Sequence, residues 1–317
     1  MKFRTEVDIP KSEKKIEIED KIFSIGSCFA TEMTDLLKDG QLQTLNNSFG
    51  TIFNPFSINN AVKRLHDSAF YEEEELIIYN EEYISLDHHT SFDTRYIHQT
   101  LDKINGNIEE GNAFLQEADW IIITYGSSFI YEFLPKNKLV ANCHKIPQKF
   151  FEKRLLSHQE LTASIYNTIL ELKDICKENV QILFSVSPVR HTKDGMVENQ
   201  LSKSKLITAI HESISLFEDC HYLPVYEILM DDLRDYRFYK EDMIHPSMQA
   251  VNYIFDKFGD SYFSEETQNF IKENFKIIKA LEHKTNDKKD PKFIEFREKL
   301  DQRIENQRKK VKHSIFR

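Results

Sequence analysis

The fold of this chain is decided by the stretch Lys21-Ile22-Phe23-Ser24-Ile25-Gly26-Ser27-Cys28-Phe29-Ala30. Its first half is a short apolar run, typical of a β-strand, that stops at Gly26. Two side chains that can act as nucleophiles, Ser27 and Cys28, come next, and a helical pattern begins at Phe29. A strand that turns directly into a helix holds such side chains beside free backbone N–H groups, which favour negative charge. The stretch therefore predicts either an active-site turn or a turn that serves packing alone.

The same alternation of strand and helix recurs along the chain. Apolar runs typical of buried strands are followed by helical patterns, which we place roughly at 99–117, 156–177 and 196–217; the strands are at 43–45, 120–124, 139–141, 181–186 and 222–225. Such alternation predicts a mostly parallel sheet with helices on both faces. Ligands of these sheets bind beyond the carboxyl ends of the strands. The turns after residues 25, 45, 124 and 186 should therefore lie along one edge.

Composition restricts the class of protein. The 317 residues are 40% hydrophobic and 12% aromatic, enough for a large core, and the net charge of −10 argues against nucleic acid or an acidic membrane surface as partner. No apolar run approaches the roughly 18–20 residues of a membrane span, and residues 1–8 have no apolar signal-peptide core. The four cysteines are scattered, so we expect free thiols. Together these features predict a cytoplasmic globular protein.

The pattern divides the chain in two. Residues 1–262 carry the strand and helix alternation, with a β-hairpin predicted over 76–86. Residues 263–317 read as amphipathic helices, separated by a polar stretch at 284–291. We expect this C-terminal extension to pack on the core or on another subunit, which would make a homo-oligomer.

A second chemical motif, Asp242-x-x-His245, lies late in the chain, just before a predicted helix. A hydrolase triad needs a nucleophile, a histidine that takes its proton and a carboxylate that orients the histidine. A tight turn could bring the Asp242 carboxylate onto one ring nitrogen of His245 and leave the other for Ser27 or Cys28. A solvated loop pair without a catalytic role is the alternative explanation.

This order of motifs resembles the SGNH (GDSL-like) hydrolase superfamily, and more closely the GSCFA family, named for the motif at 26–30. The resemblance covers about residues 3–260 and rests on several collinear motifs: Asn54-Pro55, Asn142-Cys143-His144-Lys145, Ser187-Pro188-Val189-Arg190-His191, Asn199-Gln200-x-Ser202-Lys203, Arg234-Asp235-Tyr236-Arg237-Phe238-Tyr239 and Asp242-Met243-Ile244-His245-Pro246-Ser247. It implies a flavodoxin-like three-layer α/β/α SGNH-hydrolase fold. It also implies a hydrolase site built from these motifs.

The chain departs from the superfamily at two places. Cys28, not Ser27, stands in the register of the superfamily's nucleophilic serine, and the choice between the two stays open. The superfamily's oxyanion hole uses a glycine N–H and an asparagine side chain. Gly50 suits the first role, but the second motif reads Gly126-Ser127-Ser128 here, so that Ser128 or Asn142 would have to donate instead.

Other polar residues fall on the same predicted edge. We expect Arg190, with His191, to contact substrate or to hold its loop through Asp194. His144 joins the predicted substrate-binding set. The histidines of Asp87-His88-His89, together with His98, lack the paired spacing of metal ligands. We therefore expect His89 either to be a polar residue of its loop or to contact the substrate. We predict no metal and no cofactor.

The resemblance implies an esterase or acyltransferase that acts on a small-molecule or carbohydrate acyl ester, or on a lipid. The alternative is a noncatalytic ligand-binding or assembly protein that keeps the hydrolase fold.

Overall fold

The computed structural model describes residues 4–282 and 291–316. The strands are β1 Lys21–Gly26, β2 Gln43–Asn46, β3 Ile77–Tyr79, β4 Glu82–Ile84, β5 Trp120–Tyr125, β6 Phe129–Phe133, β7 Lys138–Val140, β8 Phe151–Leu155, β9 Gln181–Val186 and β10 Cys220–Tyr222. The helices are α1 Cys28–Asp39, α2 Pro55–His66, α3 Ile97–Gln116, α4 His158–Ile175, α5 Met196–Ile214, α6 Val225–Glu227, α7 Met248–Tyr262, α8 Glu265–Leu281 and α9 Pro291–Arg308. A π-helical segment, Ile228–Leu233, continues α6.

The central sheet has five strands in the order β2-β1-β5-β9-β10, and every neighbouring pair is parallel. Counted in chain order, these strands stand 2-1-3-4-5, which is the flavodoxin-like arrangement. The predicted parallel sheet and fold are confirmed. Because all five strands point the same way, the turns after β1, β2, β5 and β9 share one edge.

Helices cover both faces of this sheet and give the three predicted layers. Along β5, Ile121 and Ile123 face a core formed with α2, α3, α4 and α5, whereas Trp120 and Ile122 face a core formed with α1, α7 and α8. Successive side chains of a strand point to opposite faces. A strand buried on both faces therefore reads as the continuous apolar run seen in the sequence.

Two small antiparallel sheets flank the central one. The predicted hairpin is present as β3 and β4. A three-stranded sheet of order β7-β6-β8 was predicted only at β7. The sequence pattern missed β6 and β8 because they are short and half-buried, and charged residues interrupt them. Their aromatic contacts, such as Phe133 with Phe151 at 5.3 Å between ring centroids, hold the sheet together only after folding.

The C-terminal extension packs on the core of the same chain. Phe270 and Ile271 of α8 are buried in the core that α1 shares, and the Asn274 side chain donates to the carbonyl of Gly40 at 2.9 Å. Leu300 of α9 in turn packs on α8. Of the predicted break at 284–291, residues 284–290 lie outside the described residues and Pro291 begins α9. Assembly through these helices stays a prediction. Among the described helices, none is both long and apolar enough to cross a membrane.

Gly26 is required at the end of β1. Its φ is +151°, and a Cβ built there would lie 2.3 Å from the carbonyl oxygen of Thr124. We expect Gly26→Ala to lower the free energy of unfolding by about 2–4 kcal/mol, because a backbone atom of the central sheet must move. Urea denaturation measures this loss.

Gly106 provides the matched control, since a Cβ there meets nothing within 4 Å. Gly106 lies at an exposed position within helix α3, so Gly106→Ala should stabilise the protein by up to about 1 kcal/mol. Equal unfolding midpoints for Gly26→Ala and wild type would contradict the requirement.

Candidate active site

The turn between β1 and α1 is fastened to its neighbours by backbone hydrogen bonds. Gly26 N–H donates to Oδ1 of Asn47 at 2.8 Å, and Ser27 N–H donates to the carbonyl of Thr124 at 3.1 Å. Ser27 is the N-cap residue and Cys28 the first residue of α1. Both side chains are therefore placed at the carboxyl edge of the sheet by fixed backbone.

The two adjacent side chains have different surroundings. Ser27 is only 4% exposed, and its Oγ has no hydrogen-bond partner among the described residues, whereas Cys28 is half-buried. Burial raises the pKa of the Cys28 thiol and the Glu32 carboxylate raises it further, while the backbone N–H groups of Phe29 and Cys28 and the Lys240 ammonium act to lower it. The thiol of Cys28 is therefore the more accessible of the two side chains, whereas the hydroxyl of Ser27 is enclosed.

Asp242 and His245 form the predicted pair. Nδ1 of His245 lies 2.7 Å from Oδ2 of Asp242, whose Oδ1 accepts the backbone N–H groups of Ile244 at 2.9 Å and His245 at 3.0 Å. These backbone and ring donors hold the pKa of Asp242 well below its usual range. The carboxylate therefore stays ionised and fixes Nδ1 as the ring donor. Nε2 makes no hydrogen bond to the described residues, which leaves it free to accept a proton.

An ion pair joins the histidine loop to the nucleophile helix. Lys240 Nζ lies 2.5 Å from Oε1 of Glu32, and the Lys240 backbone N–H donates to the carbonyl of His245 at 2.7 Å. Glu32 lies four residues after Cys28, so both side chains share one face of α1. The loop that carries His245 is thus tied to the helix face that carries Cys28.

The backbone N–H of Gly50 already has an acceptor inside the protein. Its N–H donates to the carbonyl of Asn47 at 2.6 Å, its φ is +71°, and a Cβ there would lie 2.4 Å from Cβ of His89. Glycine lets the half-buried His89 pack against this turn, with His89 Nδ1 accepting the N–H of Ser91 at 3.2 Å. To donate to an oxyanion, the Gly50 N–H would have to give up its hydrogen bond to the carbonyl of Asn47.

Ser128 anchors helix α5. Ser128 is fully buried; its backbone N–H donates to Oγ of Ser202 at 2.8 Å, and its own Oγ donates to the carbonyl of Ser202 at 2.9 Å. Gly126 N–H donates to the carbonyl of Phe53 at 2.7 Å. Neither residue presents an uncommitted donor in this structure.

Asn142 and His144 belong to a buried network below the hairpin. Asn142 Oδ1 accepts the His144 N–H at 2.9 Å, while the His144 ring contacts Asp93 at 2.9 Å and the carbonyl of His88 at 3.1 Å. The ring of His88 stacks on Phe49 with centroids 4.4 Å apart. Burial lowers the pKa of His88 well below its usual value. These contacts account for the histidine-rich stretch as part of the fold's interior.

His191 lies beside Gly126 at the sheet edge. Its Nε2 would be 3.2 Å from a Cβ at Gly126, and its ring packs on Phe53 at 5.2 Å between centroids. Burial, with the charge of Lys203, lowers the pKa of His191 to about 4. The ring is therefore neutral at physiological pH.

This shift predicts acid sensitivity. The unfolded chain protonates His191 near pH 6.5, so between pH 6.5 and 4 it binds more protons than the folded protein, and stability falls as the pH falls. When the pH is lowered from 7 to 4.5, we expect the free energy of unfolding of His191→Gln to fall by about 2 kcal/mol less than that of wild type. Urea denaturation of both proteins at pH 7 and at pH 4.5 measures this difference. The exposed His98→Gln should follow wild type, and parallel wild-type and His191→Gln curves would contradict the prediction.

Arg190 lies behind the histidine loop. Its guanidinium stacks on Tyr239 at 3.9 Å and donates to the carbonyl of Met243 at 3.4 Å. It also faces a cavity of about 370 Å³, which Gln200, Tyr226, Arg234 and Tyr236 also line. Arg190 therefore both supports the loop of His245 and offers a polar face to a ligand.

Lys203 ends the motif Asn199-Gln200-x-Ser202-Lys203, but the sequence alone assigned it no role. It is fully buried on α5, and its Nζ donates to the carbonyls of Gly126 and Ser187, each at 2.7 Å. Its position in the apolar stripe with Leu206 and Ile210 was the available signal, because a lysine there must lie inside.

Among the described residues, His66, Asp67 and Glu171 are the group with ligand-type atoms within 4.8 Å of one another. His66 Nδ1 lies 2.8 Å from Asp67, and its Nε2 lies 2.7 Å from Asp174. Ion pairing with these carboxylates explains the group without a metal ion.

Comparison with known proteins identifies the family. The sequence matches the GSCFA family over residues 21–258, three quarters of the chain. The chain belongs to the GSCFA family. The match contains the Cys28 turn, Lys203 and the Asp242–His245 loop of this GSCFA protein. No curated protein matches the sequence at a significant level.

Similar solved structures are distant. They include a DUF4886 family protein from Bacteroides uniformis (12% identity, TM-score 0.42, covering 84% of this chain and 97% of that one). They also include a family 3 carbohydrate esterase of Clostridium thermocellum, with 9% identity and a TM-score of 0.36. Another family 3 carbohydrate esterase, from Talaromyces cellulolyticus, has 7% identity and a TM-score of 0.37. Each of these two matches covers 80% of this chain and 98% of the other one. At these TM-scores the likeness carries no argument about activity, which has to come from the site.

Proposed function

We propose that this GSCFA protein is an ester hydrolase or acyltransferase that forms an acyl-thioester on Cys28. The single observation that carries the proposal is the 2.7 Å contact of Asp242 with Nδ1 of His245, on a loop tied to the helix face of Cys28. A histidine held this way takes a proton on Nε2.

The chemistry follows in two halves. Nε2 of His245 takes the Cys28 thiol proton, the sulfur attacks the ester carbonyl carbon, and the C–O bond breaks as the leaving alkoxide receives that proton. Water, or an acceptor alcohol, then attacks the thioester, gives its proton to Nε2, and the sulfur leaves and is protonated again. Asp242 stabilises the imidazolium in both halves.

Backbone donors serve the oxyanion. The first N–H groups of a helix have no intrahelical acceptor, and in α1 these belong to Cys28 and Phe29. We assign them to the developing negative charge, since the N–H of Gly50 and the hydroxyl of Ser128 already donate to carbonyls inside the protein and would be released only by a local rearrangement. Asn142 accepts the His144 N–H on Oδ1, which leaves its Nδ2 as a further candidate donor.

The substrate we propose is an acyl ester of a carbohydrate or similar polar alcohol. The cavity beside Arg190 offers tyrosine rings, a guanidinium and an amide, groups that stack on and hydrogen-bond to a hydroxyl-rich ligand. Cys28 and His245 do not line it, so we assign it to the alcohol part of the substrate and not to the reacting carbonyl. His89 and His144 are too engaged with protein partners for us to give them a direct contact.

The test is turnover of short-chain nitrophenyl esters and of acetylated sugars, with intact-mass detection of an acyl group and peptide mapping to Cys28. We expect hydrolysis and a trapped acyl-enzyme at low pH.

The occupied donors at Gly50 and Ser128 favour a second candidate, a noncatalytic ligand-binding protein. Saturable binding of the same esters, without turnover or acyl-enzyme, would support that candidate and contradict the first.

A further inference from the structure

Arg190 carries a positive charge that no carboxylate of the described residues balances. Its Nη1 donates to the carbonyl of Met243 at 3.4 Å, and its Nε is buried without a hydrogen-bond partner. A guanidinium has five N–H donors in a fixed plane, an arrangement that matches a carboxylate or a phosphate. The protein therefore uses only part of the hydrogen-bonding capacity of Arg190 and leaves its charge without a counter-ion.

The carboxylates of the cavity wall already have arginine partners. Among the described residues that line the cavity, the acidic ones are Asp231 and Asp235. Asp231 lies 3.7 Å from Arg234, and Asp235 lies 3.8 Å from Arg237. Arg190 is thus the cation of this wall that a ligand is able to neutralise.

Two tyrosine rings hold the guanidinium of Arg190 in place without neutralising it. The guanidinium carbon lies 3.9 Å from the ring centre of Tyr239 and 5.1 Å from that of Tyr236. Contact with aromatic faces orients a guanidinium, while its N–H groups point outward in its own plane. These contacts prepare Arg190 to receive a planar or tetrahedral anion.

We propose that the cavity beside Arg190 binds an anionic oxygen group, a carboxylate or a phosphate, on the alcohol part of the substrate. The preferred substrates are then acyl esters of acidic sugars or of similar acidic alcohols. The cavity volume of about 370 Å³ suits a ligand of this size. The proposal deepens the proposed function and rests on it for the ester chemistry at Cys28.

Arg190 also connects this cavity to the loop of His245. Its backbone N–H donates to the carbonyl of Ile244 at 3.2 Å, and its side chain reaches the carbonyl of Met243. These two residues directly precede His245. An anion held by Arg190 therefore lies beside the loop that carries the proposed base, where the alcohol part of an ester is expected.

The experiment compares kcat/KM for three sugars acetylated at the same hydroxyl: glucose, glucose 6-phosphate and glucuronic acid. They differ only in the group at the sixth carbon, and the two acidic sugars show which anion the cavity takes. We expect wild type to prefer at least one acidic ester to the neutral one by about tenfold or more, because hydrogen bonds to a charged group are the stronger ones. Equal kcat/KM for all three esters would overturn the proposal.

Arg190→Gln tests the anion contact apart from the support that Arg190 gives to the loop. The preference for the acidic ester should fall to within about threefold of unity, because the ratio of two substrates cancels any loss of activity that they share. Arg234→Gln is the matched control, since Arg234 lines the same cavity but already faces Asp231, and it should keep the wild-type preference. An acidic preference that survives in Arg190→Gln, or that only Arg234→Gln removes, would contradict the assignment.

A binding measurement does not depend on the folding of any variant. By calorimetry, wild type should bind free glucose 6-phosphate or glucuronate at least about tenfold more tightly than glucose. Raising NaCl to about 0.5 M should weaken the binding of the acidic sugar, because salt screens the charge. Equal affinities for acidic and neutral sugars would overturn the proposal.

Binding requires no turnover, so the two proposals can fail separately. A protein that binds the acidic sugar through Arg190 but hydrolyses no ester refutes the proposed function alone. An active esterase that treats acidic and neutral esters alike refutes the anion site alone.

Discussion

Cys28→Ala should lower kcat/KM for ester hydrolysis by at least about 10⁴-fold and abolish the acyl-enzyme, since a nucleophile, its base and its orienting acid act as one unit. The adjacent hydroxyl cannot substitute without rearrangement, because Ser27 is only 4% exposed at the N-cap. Steady-state kinetics and intact-mass trapping measure both losses.

Ser27→Ala is the matched control. Ser27 Oγ has no partner among the described residues, so its removal should change kcat/KM by less than about threefold. It should leave the free energy of unfolding unchanged or raise it, because a buried hydroxyl without a partner is itself unfavourable. Loss of activity in Ser27→Ala with retention in Cys28→Ala would reverse the assignment of the nucleophile. Full activity in both variants would remove the turn from the mechanism.

His245→Ala is expected to lower kcat by roughly 10³–10⁴-fold, because the thiol of Cys28 then has no base and the leaving group no acid. The loss should be greatest near neutral pH and smaller at strongly alkaline pH, because burial and Glu32 raise the pKa of the Cys28 thiol and it ionises without help only there. A pH–rate profile of wild type and variant measures this. An equal loss at all pH values would contradict the role of His245 as general base.

Asp242→Asn should reduce kcat strongly as well, because an amide favours the wrong tautomer of His245. Asp20→Asn is its control: the Asp20 carboxylate also accepts a backbone N–H, that of Glu17 at 2.9 Å, but it holds no histidine and precedes β1 at the opposite edge of the sheet. We expect Asp20→Asn to keep activity within about threefold, since it changes a turn contact far from the site. Equal losses in both variants would contradict the role of Asp242 through His245.

The local hydrophobic pattern of the sequence was enough to predict the main strands and helices. The runs at β5 and β9 are apolar and β-branched, and the structure has strands at 120–125 and 181–186, where those patterns predict them. The helices were predicted to within a few residues. The weakly patterned β6 and β8 were missed because half-buried strands depend on partners that only tertiary contacts supply.

The pairing of Asp242 with His245 was predictable for a related reason. Three residues of separation let one turn bring the carboxylate to the ring, and the observed contact is 2.7 Å. The oxyanion residues were harder to predict from the sequence, since the position of a residue in a motif does not show which hydrogen bonds that glycine or serine makes in the folded protein. Ser128 shows this, because its hydroxyl serves α5.

The sequence by itself determined the parallel sheet, the family and the chemical types gathered at one edge, because strand periodicity and the spacing of motifs are local properties of the chain. Only the tertiary structure gave Ser27 and Cys28 different exposures, since burial depends on which other residues pack against them. Only it showed that Lys203 is buried against the carbonyls of Gly126 and Ser187, because that depends on which strand ends meet helix α5. Such burial and the electrostatic effects that follow from it arise between residues distant in sequence, so they exist only once the chain has folded.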